Sequence, residues 1–183
     1  LRRESSLVEQ MSIDEAYVDL TEVAGSMEEA EGYAHRMQGR IRVELELPCS
    51  VGLATVKTVA KVACETGKPA GFVVVRPGEE AAFLSALPVS KLPGIGPRLA
   101  ERLKARGFDT LGQIAQAQVS QLTTFLGPWG AVLQRRALGE DPSPVNPERE
   151  TKSISSEETF AEDIREATPL RDELGRLAAR VAE

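Results

Sequence analysis

Apolar and polar positions follow two different periods in the first half of the chain. Four short apolar runs, bounded by charged residues, Gly or Pro, predict β-strands, at residues 7–11, 16–20, 50–54 and 72–75. Two segments with apolar side chains every three or four positions predict helices, at residues 26–45, where Ser26 is the expected N-cap, and at residues 55–65. The predicted order is ββαβαβ, which favours helices packed on one sheet.

The second half of the chain loses the strand pattern from Gly78 onward. Five segments of helical period, separated by Pro or Gly, predict a small all-helical domain, at residues 79–87, 97–106, 110–117, 120–126 and 129–138. Residues 141–147 contain three prolines without apolar periodicity and predict an extended linker. A last strand is expected at residues 153–160, followed by a helix at residues 169–181 with one apolar face. The fold class predicted by these patterns is α+β.

Composition narrows the class of protein. The chain has 183 residues, 42% of them hydrophobic, which is enough for one large or two small domains. It contains no apolar run long enough to cross a bilayer and no cationic leader, so we expect a cytoplasmic protein with no membrane partner. Cys49 and Cys64 lack metal-ligand spacing and are expected to be free thiols. His35, the single histidine, is expected to be solvated.

The net charge of -6 disfavours nucleic acid as a partner only if the charge is evenly spread. Residues 140–183 hold six Lys and Arg against twelve Asp and Glu, so residues 1–139 are neutral. Within residues 90–107 a single acid, Glu101, is outnumbered by five bases, which are Lys91, Arg98, Arg102, Lys104 and Arg106. A local basic patch therefore persists within an acidic chain.

Two adjacent acids, Asp14 and Glu15, interrupt the apolar pattern between the first two strands. Because side chains alternate faces along a strand, the pair can converge only where the chain bends, at or beside the hairpin turn. Adjacent carboxylates repel each other, and a hard divalent cation with oxygen ligands relieves that repulsion. The spacing therefore indicates either a metal site or a solvated acidic turn.

Five segments then stand in a recognisable order, at residues 12–19 (SIDEAYVD), 51–63 (VGLATVKTVAKVA), 68–71 (KPAG), 92–97 (LPGIGP) and 152–154 (KSI). Together they resemble the motifs of Y-family DNA polymerases of the DinB/polymerase IV type, and the resemblance covers essentially the whole chain. It implies that the family's first metal-binding aspartate and its fingers precede Leu1, and that the rest of the little finger follows Glu183. The chain is therefore expected to be an internal fragment.

The resemblance also implies a domain organisation. Residues 1–77 are expected to be the C-terminal part of a catalytic palm, with an antiparallel or mixed sheet and two helices. Residues 78–140 are the expected thumb, a small all-helical domain with a helix-hairpin-helix. Residues 141–152 are the expected linker, and residues 153–183 are expected to form the first strand and helix of the little finger.

For catalysis, the resemblance assigns Asp14 and Glu15 as metal ligands that hold two Mg²⁺ ions in the complete enzyme. It assigns Lys57 to the triphosphate of the incoming nucleotide, although many relatives have Asn where this chain has Val56. Lys57 and Lys61 lie four residues apart and are expected to project outward together. Lys61 is expected to be a solvated charge or to contact the DNA backbone. The hydroxyl of Ser12 is expected to bond either near the acids or to the backbone.

The segment at residues 92–97 is the expected helix-hairpin-helix turn. Its isoleucine can plug between the flanking helices, its glycines allow close approach of the backbone, and the following helix start attracts phosphate. Such contacts read no base identity. A plain helical turn is the alternative. The residues predicted to bind DNA are Gly94, Ile95, Gly96, Arg98, Arg102 and Lys104.

The function that follows from the resemblance is template-directed DNA polymerisation of the translesion-synthesis type, a DNA-repair activity, with the isolated fragment inactive. The expected partners are primer-template DNA, deoxynucleoside triphosphates and a sliding clamp bound through a segment beyond the C-terminus of this chain. The alternative is a non-catalytic helix-hairpin-helix DNA-binding module or an inactive polymerase paralogue.

Overall fold

The computed structural model describes residue 1, residues 4–148 and residues 153–182. The chain divides into two compact units, residues 1–147 and residues 148–183. In the described residues, the first unit contains all of the strands and all of the helices except the last. The second unit contains that last helix.

The predicted order ββαβαβ is confirmed, and its elements are β1 (Val8–Gln10), β2 (Ala16–Val18), α1 (Met27–Leu45), β3 (Val51–Leu53), α2 (Lys57–Thr66) and β4 (Phe72–Val74). α1 begins where predicted because Ser26 is its N-cap. The Ser26 hydroxyl accepts a hydrogen bond from the Glu29 amide and so satisfies one of the amides that the first turn leaves unpaired.

The strands form two separate two-stranded sheets among the described residues, where the sequence pattern favoured one. β1 and β2 pair in antiparallel fashion, with Glu9 opposite Tyr17, because only a short turn connects them. β3 and β4 pair in parallel because α2 returns the chain to the end at which β3 began. Two-stranded sheets this short are marginal alone, so each pair depends on the helices that pack against it.

α2 lies very close to β3. A Cβ atom at Gly52 would lie 2.1 Å from the carbonyl oxygen of Ala60, so only glycine permits this approach. Val59, Val62 and Ala63 of the same helix are completely buried. The sheet therefore fixes the position of α2 and of every side chain that α2 carries.

Residues 78–140, all of which the structure describes, contain the five predicted helices, α3 (Glu80–Ser85), α4 (Pro97–Lys104), α5 (Leu111–Gln116), α6 (Val119–Leu126) and α7 (Trp129–Ala137). A 3₁₀ turn at Val89–Lys91 was not predicted, because three residues are too few to give a periodic signal. One hydrophobic cluster joins these helices to α2, and it includes Val59, Leu84, Leu103 and Leu133. The helical part therefore packs directly on the helix that follows β3.

The second unit contains α8 (Ala167–Ala182) as its regular element within the described residues. The strand predicted at residues 153–160 is wrong, because a strand needs a paired edge and the described part of this unit offers none. Lys152 of the motif at residues 152–154 lies outside the described residues. The apolar face expected on α8 is largely uncovered, with Leu174 and Val181 exposed.

Three residues singled out by their chemistry make packing contacts. Cys49 and Cys64 are free thiols, as expected, and burial raises the pKa of both. The prediction that His35 is solvated is confirmed, since the residue is exposed, and its ring in addition stacks on Phe72 with the ring centroids 3.6 Å apart. None of the described helices is long and apolar enough to cross a membrane.

The contact between α6 and α7 gives a stability prediction. A Cβ atom at Gly130 would lie 2.4 Å from the carbonyl carbon of Leu122, so Gly130→Ala should force the two helices apart. We expect it to lower the free energy of unfolding by about 1–3 kcal/mol. Gly39→Ala in α1, where nothing lies within 4 Å of the added carbon, should instead raise it by about 0.5–1 kcal/mol. Urea denaturation of both variants measures this, and equal effects would contradict the close contact.

Candidate active site and nucleic-acid interface

The paired acids lie in the turn of the β1–β2 hairpin. The strand register ends with Gln10 opposite Ala16, and the turn closes with a hydrogen bond of 2.9 Å from the Met11 amide to the Glu15 carbonyl. Asp14 and Glu15 therefore belong to the bend rather than to a straight strand. The prediction that the acids stand at or beside the hairpin turn is confirmed.

Asp14 is exposed and is stabilised as an anion by its neighbours. The Ser12 hydroxyl donates a hydrogen bond of 2.6 Å to Asp14 Oδ1. This bond is the main reason that the pKa of Asp14 lies below its ordinary value, with its backbone amide and the charges of Lys68 and Lys61 adding to the effect. The structure shows both of the roles left open for Ser12, since the hydroxyl donates to the acid and its oxygen also accepts a hydrogen bond of 3.4 Å from the Asp14 amide.

Glu15 is paired with Lys61. The Lys61 ammonium lies 2.5 Å from Glu15 Oε1 and 2.9 Å from Glu65 Oε1, and Lys68 lies 2.6 Å from that same Glu65 oxygen. Burial opposes the charge on Lys61, but the hydrogen bonds to Glu15 and Glu65 outweigh burial and raise its pKa. Lys61 is therefore half-buried and ion-paired rather than solvated, so that part of the prediction is wrong, whereas its contact with a DNA backbone stays a prediction.

Lys57 also points toward the hairpin. Its ammonium lies 2.6 Å from Glu9 Oε2 and 3.1 Å from the Pro144 carbonyl oxygen, and it sits 4.9 Å from the ring centroid of Tyr17. The side chain is only 15% exposed. The prediction that Lys57 and Lys61 project outward together is wrong, because a largely buried ammonium needs an anionic partner and the hairpin supplies one for each lysine.

The turn offers the kind of ligands that Mg²⁺ prefers. Asp14 and Glu15 provide carboxylate oxygens, both within the influence of Lys61. Among the described residues no group of three or more His, Cys, Asp or Glu side chains is arranged to hold a metal. The two carboxylates would suit a magnesium ion that takes further ligands from substrate phosphates or from another carboxylate, and Glu15 would have to release Lys61 to bind it.

α2, which carries Lys57 and Lys61, is capped from a distance. Its N-cap residue, Val56, has no side chain able to accept a hydrogen bond. Asp141 supplies the acceptor, since its Oδ2 takes hydrogen bonds from the Thr58 amide at 3.2 Å and the Thr58 hydroxyl at 2.5 Å. Sequence analysis missed Asp141. The apolar residue at the helix start was the available signal, but it does not indicate which distant residue provides the cap.

The segment at residues 92–97 forms a tight turn before α4. Gly94 has a φ of +94°, which an L-residue rarely adopts. Ile95 is buried in the helical core, as expected of a plug between the flanking helices. Gly96 is the N-cap of α4 and has no protein atom within 4 Å of where a Cβ would lie, so this side of the turn is open.

The basic side chains predicted to bind DNA follow this turn and are exposed, at Arg98, Arg102 and Lys104. Arg102 stacks on Phe125, its guanidinium carbon 4.7 Å from the ring centroid, and Arg106 stacks on the same ring at 3.8 Å. Cation–π contacts of this kind limit the freedom of both side chains. Arg106, counted in the basic patch but not predicted as a DNA contact, thus shares a platform with Arg102.

Three successive parts of the chain match known sequence families. Residues 1–65 match the impB/mucB/samB family, residues 77–108 match the HHH motif of the IMS family, and residues 151–183 match the C-terminal domain of the impB/mucB/samB family. DNA polymerase IV of Stenotrophomonas maltophilia (strain R551-3) is 42% identical over 181 residues, which cover 99% of this chain and 49% of that protein.

Solved structures of DNA polymerases are also similar to this chain. A DinB family error-prone DNA polymerase from Sulfolobus solfataricus matches with a TM-score of 0.74 and 31% identity, over 80% of this chain and 45% of that chain. A Y-family DNA polymerase chimera matches with a TM-score of 0.73 and 31% identity, over 84% of this chain and 44% of that chain. The chain belongs to the Y family of DNA polymerases. It spans about half the length of the curated relative, at 49%.

In this Y-family chain, the ion pairs of Lys61 with Glu15 and Glu65 predict a contribution to stability that depends on pH. Lys61→Met should lower the free energy of unfolding by about 1 kcal/mol at neutral pH, because it leaves Glu15 and Glu65 without this partner. Lys68 and Lys61 lower the pKa of Glu65 from its ordinary value of 4.5. A lowered carboxyl pKa stabilises the fold above that ordinary value, and the stabilisation disappears as the pH falls through the folded-state pKa. The difference between wild type and variant should therefore shrink toward zero in acid.

Urea denaturation at about pH 7 and about pH 3 tests this loss of stability. Lys91→Met is the matched control, since no ion pair to Lys91 occurs within the described part of the chain, and it should change little at either pH. A Lys61→Met effect that persists unchanged in acid would contradict the ion-pair origin of the stability.

Proposed function

We propose that this chain forms the catalytic palm and the DNA-binding thumb of a template-directed DNA polymerase of the translesion type. The observation that carries the proposal is the hairpin, whose turn places Asp14 and Glu15 near Lys61 and whose first strand pairs with Lys57 through Glu9. Carboxylates for a cation and lysines for phosphate are the two requirements of nucleotidyl transfer. Membership of the Y family supports the same activity.

Each residue of the proposed site has a distinct task. Asp14 and Glu15 would hold divalent cations, which supply charge neutralisation at the primer hydroxyl and at the leaving pyrophosphate. Ser12 holds Asp14 in its anionic form through the 2.6 Å hydrogen bond. Lys57 would leave Glu9 to contact the triphosphate of the incoming nucleotide as a mobile point charge.

The domain assignment is part of the proposal. Residues 1–77 would be the palm and residues 78–140 the thumb, which grips the backbone of primer-template DNA through residues 94–96 and the basic side chains of α4. Residues 141–152 would link the thumb to a little finger that starts at residue 153. A sliding clamp is the proposed processivity partner of the complete protein.

One observation favours the alternative of a non-catalytic DNA-binding module. Within the described residues no third metal-ligating side chain joins Asp14 and Glu15, and Glu15 is already neutralised by Lys61. A paralogue that lost catalysis would keep the thumb surface and dispense with the acids. Nucleotide transfer by the complete protein distinguishes the two functions.

The metal assignment predicts a loss of chemistry without a loss of DNA binding. In the complete polymerase, Asp14→Ala or Glu15→Ala should lower kcat by about a thousandfold or more, because the charge stabilisation that a metal supplies is worth several kcal/mol. Primer-template affinity should remain nearly unchanged, since phosphate contacts elsewhere provide it. Primer extension and fluorescence anisotropy measure the two quantities.

Asp19→Ala is the matched control for this experiment. The Asp19 carboxylate accepts hydrogen bonds from the amide and hydroxyl of Thr21, at 2.8 and 2.6 Å, and lies outside the turn. It should retain nucleotide transfer. The 183-residue chain alone should not extend a primer, because its described residues supply only two of the expected ligands. Normal turnover in the Asp14 and Glu15 variants would show that the metal assignment is wrong.

We predict that the proposed thumb binds duplex DNA weakly, with an affinity that depends on salt concentration and not on the DNA sequence. The logarithm of affinity should fall with the logarithm of salt concentration by about 0.9 per neutralised phosphate. Arg98→Ala with Arg102→Ala should flatten the slope by about one to two units. Anisotropy of labelled duplexes with the 183-residue chain, over a salt series, measures the slope.

A control variant separates this surface from net charge. Arg36→Ala with Arg42→Ala removes the same number of positive charges from α1, which is not among the residues proposed to bind DNA, and should leave the slope nearly unchanged. An unaltered slope in the Arg98 and Arg102 variant would move the DNA surface elsewhere and leave the turn at residues 92–97 with a packing role alone.

A further inference from the structure

The helix that carries Lys57 depends on a residue far away in sequence. α2 starts at Lys57, and Val56 before it cannot cap the first turn. The carboxylate of Asp141 takes that place by accepting hydrogen bonds from both the amide and the hydroxyl of Thr58, across 83 residues of sequence. Thr58 is only 4% exposed and Asp141 is half-buried, so this cap is partly shielded from water.

The carboxylate is itself held in place. Its second oxygen, Oδ1, accepts a hydrogen bond of 3.1 Å from the Ser143 amide and another from the Ser143 hydroxyl. Burial opposes ionisation of Asp141, but the hydrogen bonds from Ser143 and Thr58 outweigh burial and lower its pKa. Asp141 is therefore a fixed anion at neutral pH, aimed at the amino-terminal end of α2, where a negative charge is favourable.

The residues after Asp141 contact the lysine itself. The Pro144 carbonyl oxygen accepts a hydrogen bond of 3.1 Å from the Lys57 ammonium. The Asn146 amide donates one of 2.9 Å to Glu9 Oε2, the same oxygen that pairs with Lys57. Residues 141–146 thus contact the start of α2, its first side chain and the partner of that side chain.

We propose that Asp141 is a positioning residue for the incoming nucleotide: by capping α2 from the linker, it holds Lys57 where the triphosphate must meet it. This inference rests on the proposed function, in which Lys57 contacts the triphosphate. Lys57 is the first helical residue, so its backbone is ordered only if the first turn is ordered. A helix start without a cap frays, and a frayed first turn spreads the lysine over several positions.

Two roles of Asp141 can be distinguished, which are capping of α2 and competition with a phosphate for the start of that helix. If Asp141 merely occupied the place of a phosphate at the helix start, its removal would tighten nucleotide binding. If it positions Lys57, its removal weakens nucleotide binding. Asparagine keeps one oxygen that can accept from Thr58 but loses the acceptor for Ser143, so it should restore part of that binding. The two roles therefore predict opposite changes in the nucleotide KM.

The test uses the complete polymerase and steady-state primer extension with one nucleotide varied. Asp141→Ala should raise the nucleotide KM about fivefold, the factor that corresponds to loss of a typical N-cap, with kcat within about twofold. Asp141→Asn, which keeps one acceptor oxygen for Thr58, should bring the KM part of the way back toward that of wild type. A lower or unchanged KM in Asp141→Ala, or no recovery in Asp141→Asn, would overturn the proposal.

Thr110→Ala is the matched control. Thr110 caps α5, accepting a hydrogen bond of 3.3 Å from the Gln113 amide, so this variant also loses one helix cap but does so away from Lys57. It should lose a similar amount of stability and keep the wild-type KM. An equal KM increase in Thr110→Ala would show that general destabilisation, rather than positioning, is responsible, and would overturn the proposal.

Two further measurements cover the remaining outcomes. If Asp141→Ala does not fold, the milder Thr58→Val deletes the hydroxyl bond that holds the Asp141 carboxylate at the helix start and should still raise the KM, and an unchanged KM there overturns the proposal. Amide hydrogen exchange on the 183-residue chain should show faster exchange of the Thr58 amide in Asp141→Ala. If Lys57→Ala leaves the KM unchanged, the nucleotide site itself is wrong, whereas the exchange result still reports on the cap.

Discussion

Charge pairing between the hairpin and α2 is the interaction on which the candidate site depends. Lys57 meets Glu9 of β1, and Lys61 meets Glu15 of the turn. The hairpin belongs to a separate two-stranded sheet, so it shares no strand hydrogen bonds with β3 and β4 in the described residues. The two ion pairs therefore contribute to the orientation of the hairpin toward the helix, together with the burial of Val8 and Leu20.

α2 serves the core and the site at once. Val59, Val62 and Ala63 are completely buried and belong to the hydrophobic cluster that extends through the helical half of the first unit. Gly52 lets the helix settle directly on β3. The buried face of α2 cannot move without disrupting the hydrophobic core. The positions of Lys57 and Lys61 relative to the hairpin are therefore fixed by the packing of α2.

Much of this arrangement could be predicted from local sequence, because local signals have local causes. The Ser26 cap, the helical segments between residues 79 and 138 and the acids at the turn all follow from patterns a few residues long. The partners of Lys57 and Lys61 could not be predicted, since periodicity places side chains on a face without saying what that face meets. The Asp141 cap is hidden for the same reason, because its partner lies 83 residues away. The strand predicted at residues 153–160 was wrong for a related reason. Its residue types suit a strand, but a strand also needs a neighbouring strand to pair with, and local sequence does not show whether one is present.

The ion pair between Lys57 and Glu9 restricts which ligands can bind to the lysine. A ligand that uses this ammonium displaces a carboxylate 2.6 Å away, so binding there is an exchange of anions rather than the capture of one. A neutral hydroxyl or a sugar cannot replace a full negative charge in a site that is largely shielded from water. Only a group with at least the charge density of a carboxylate can complete the exchange, so the resting ion pair would favour strongly anionic ligands, as the proposed contact with a triphosphate requires.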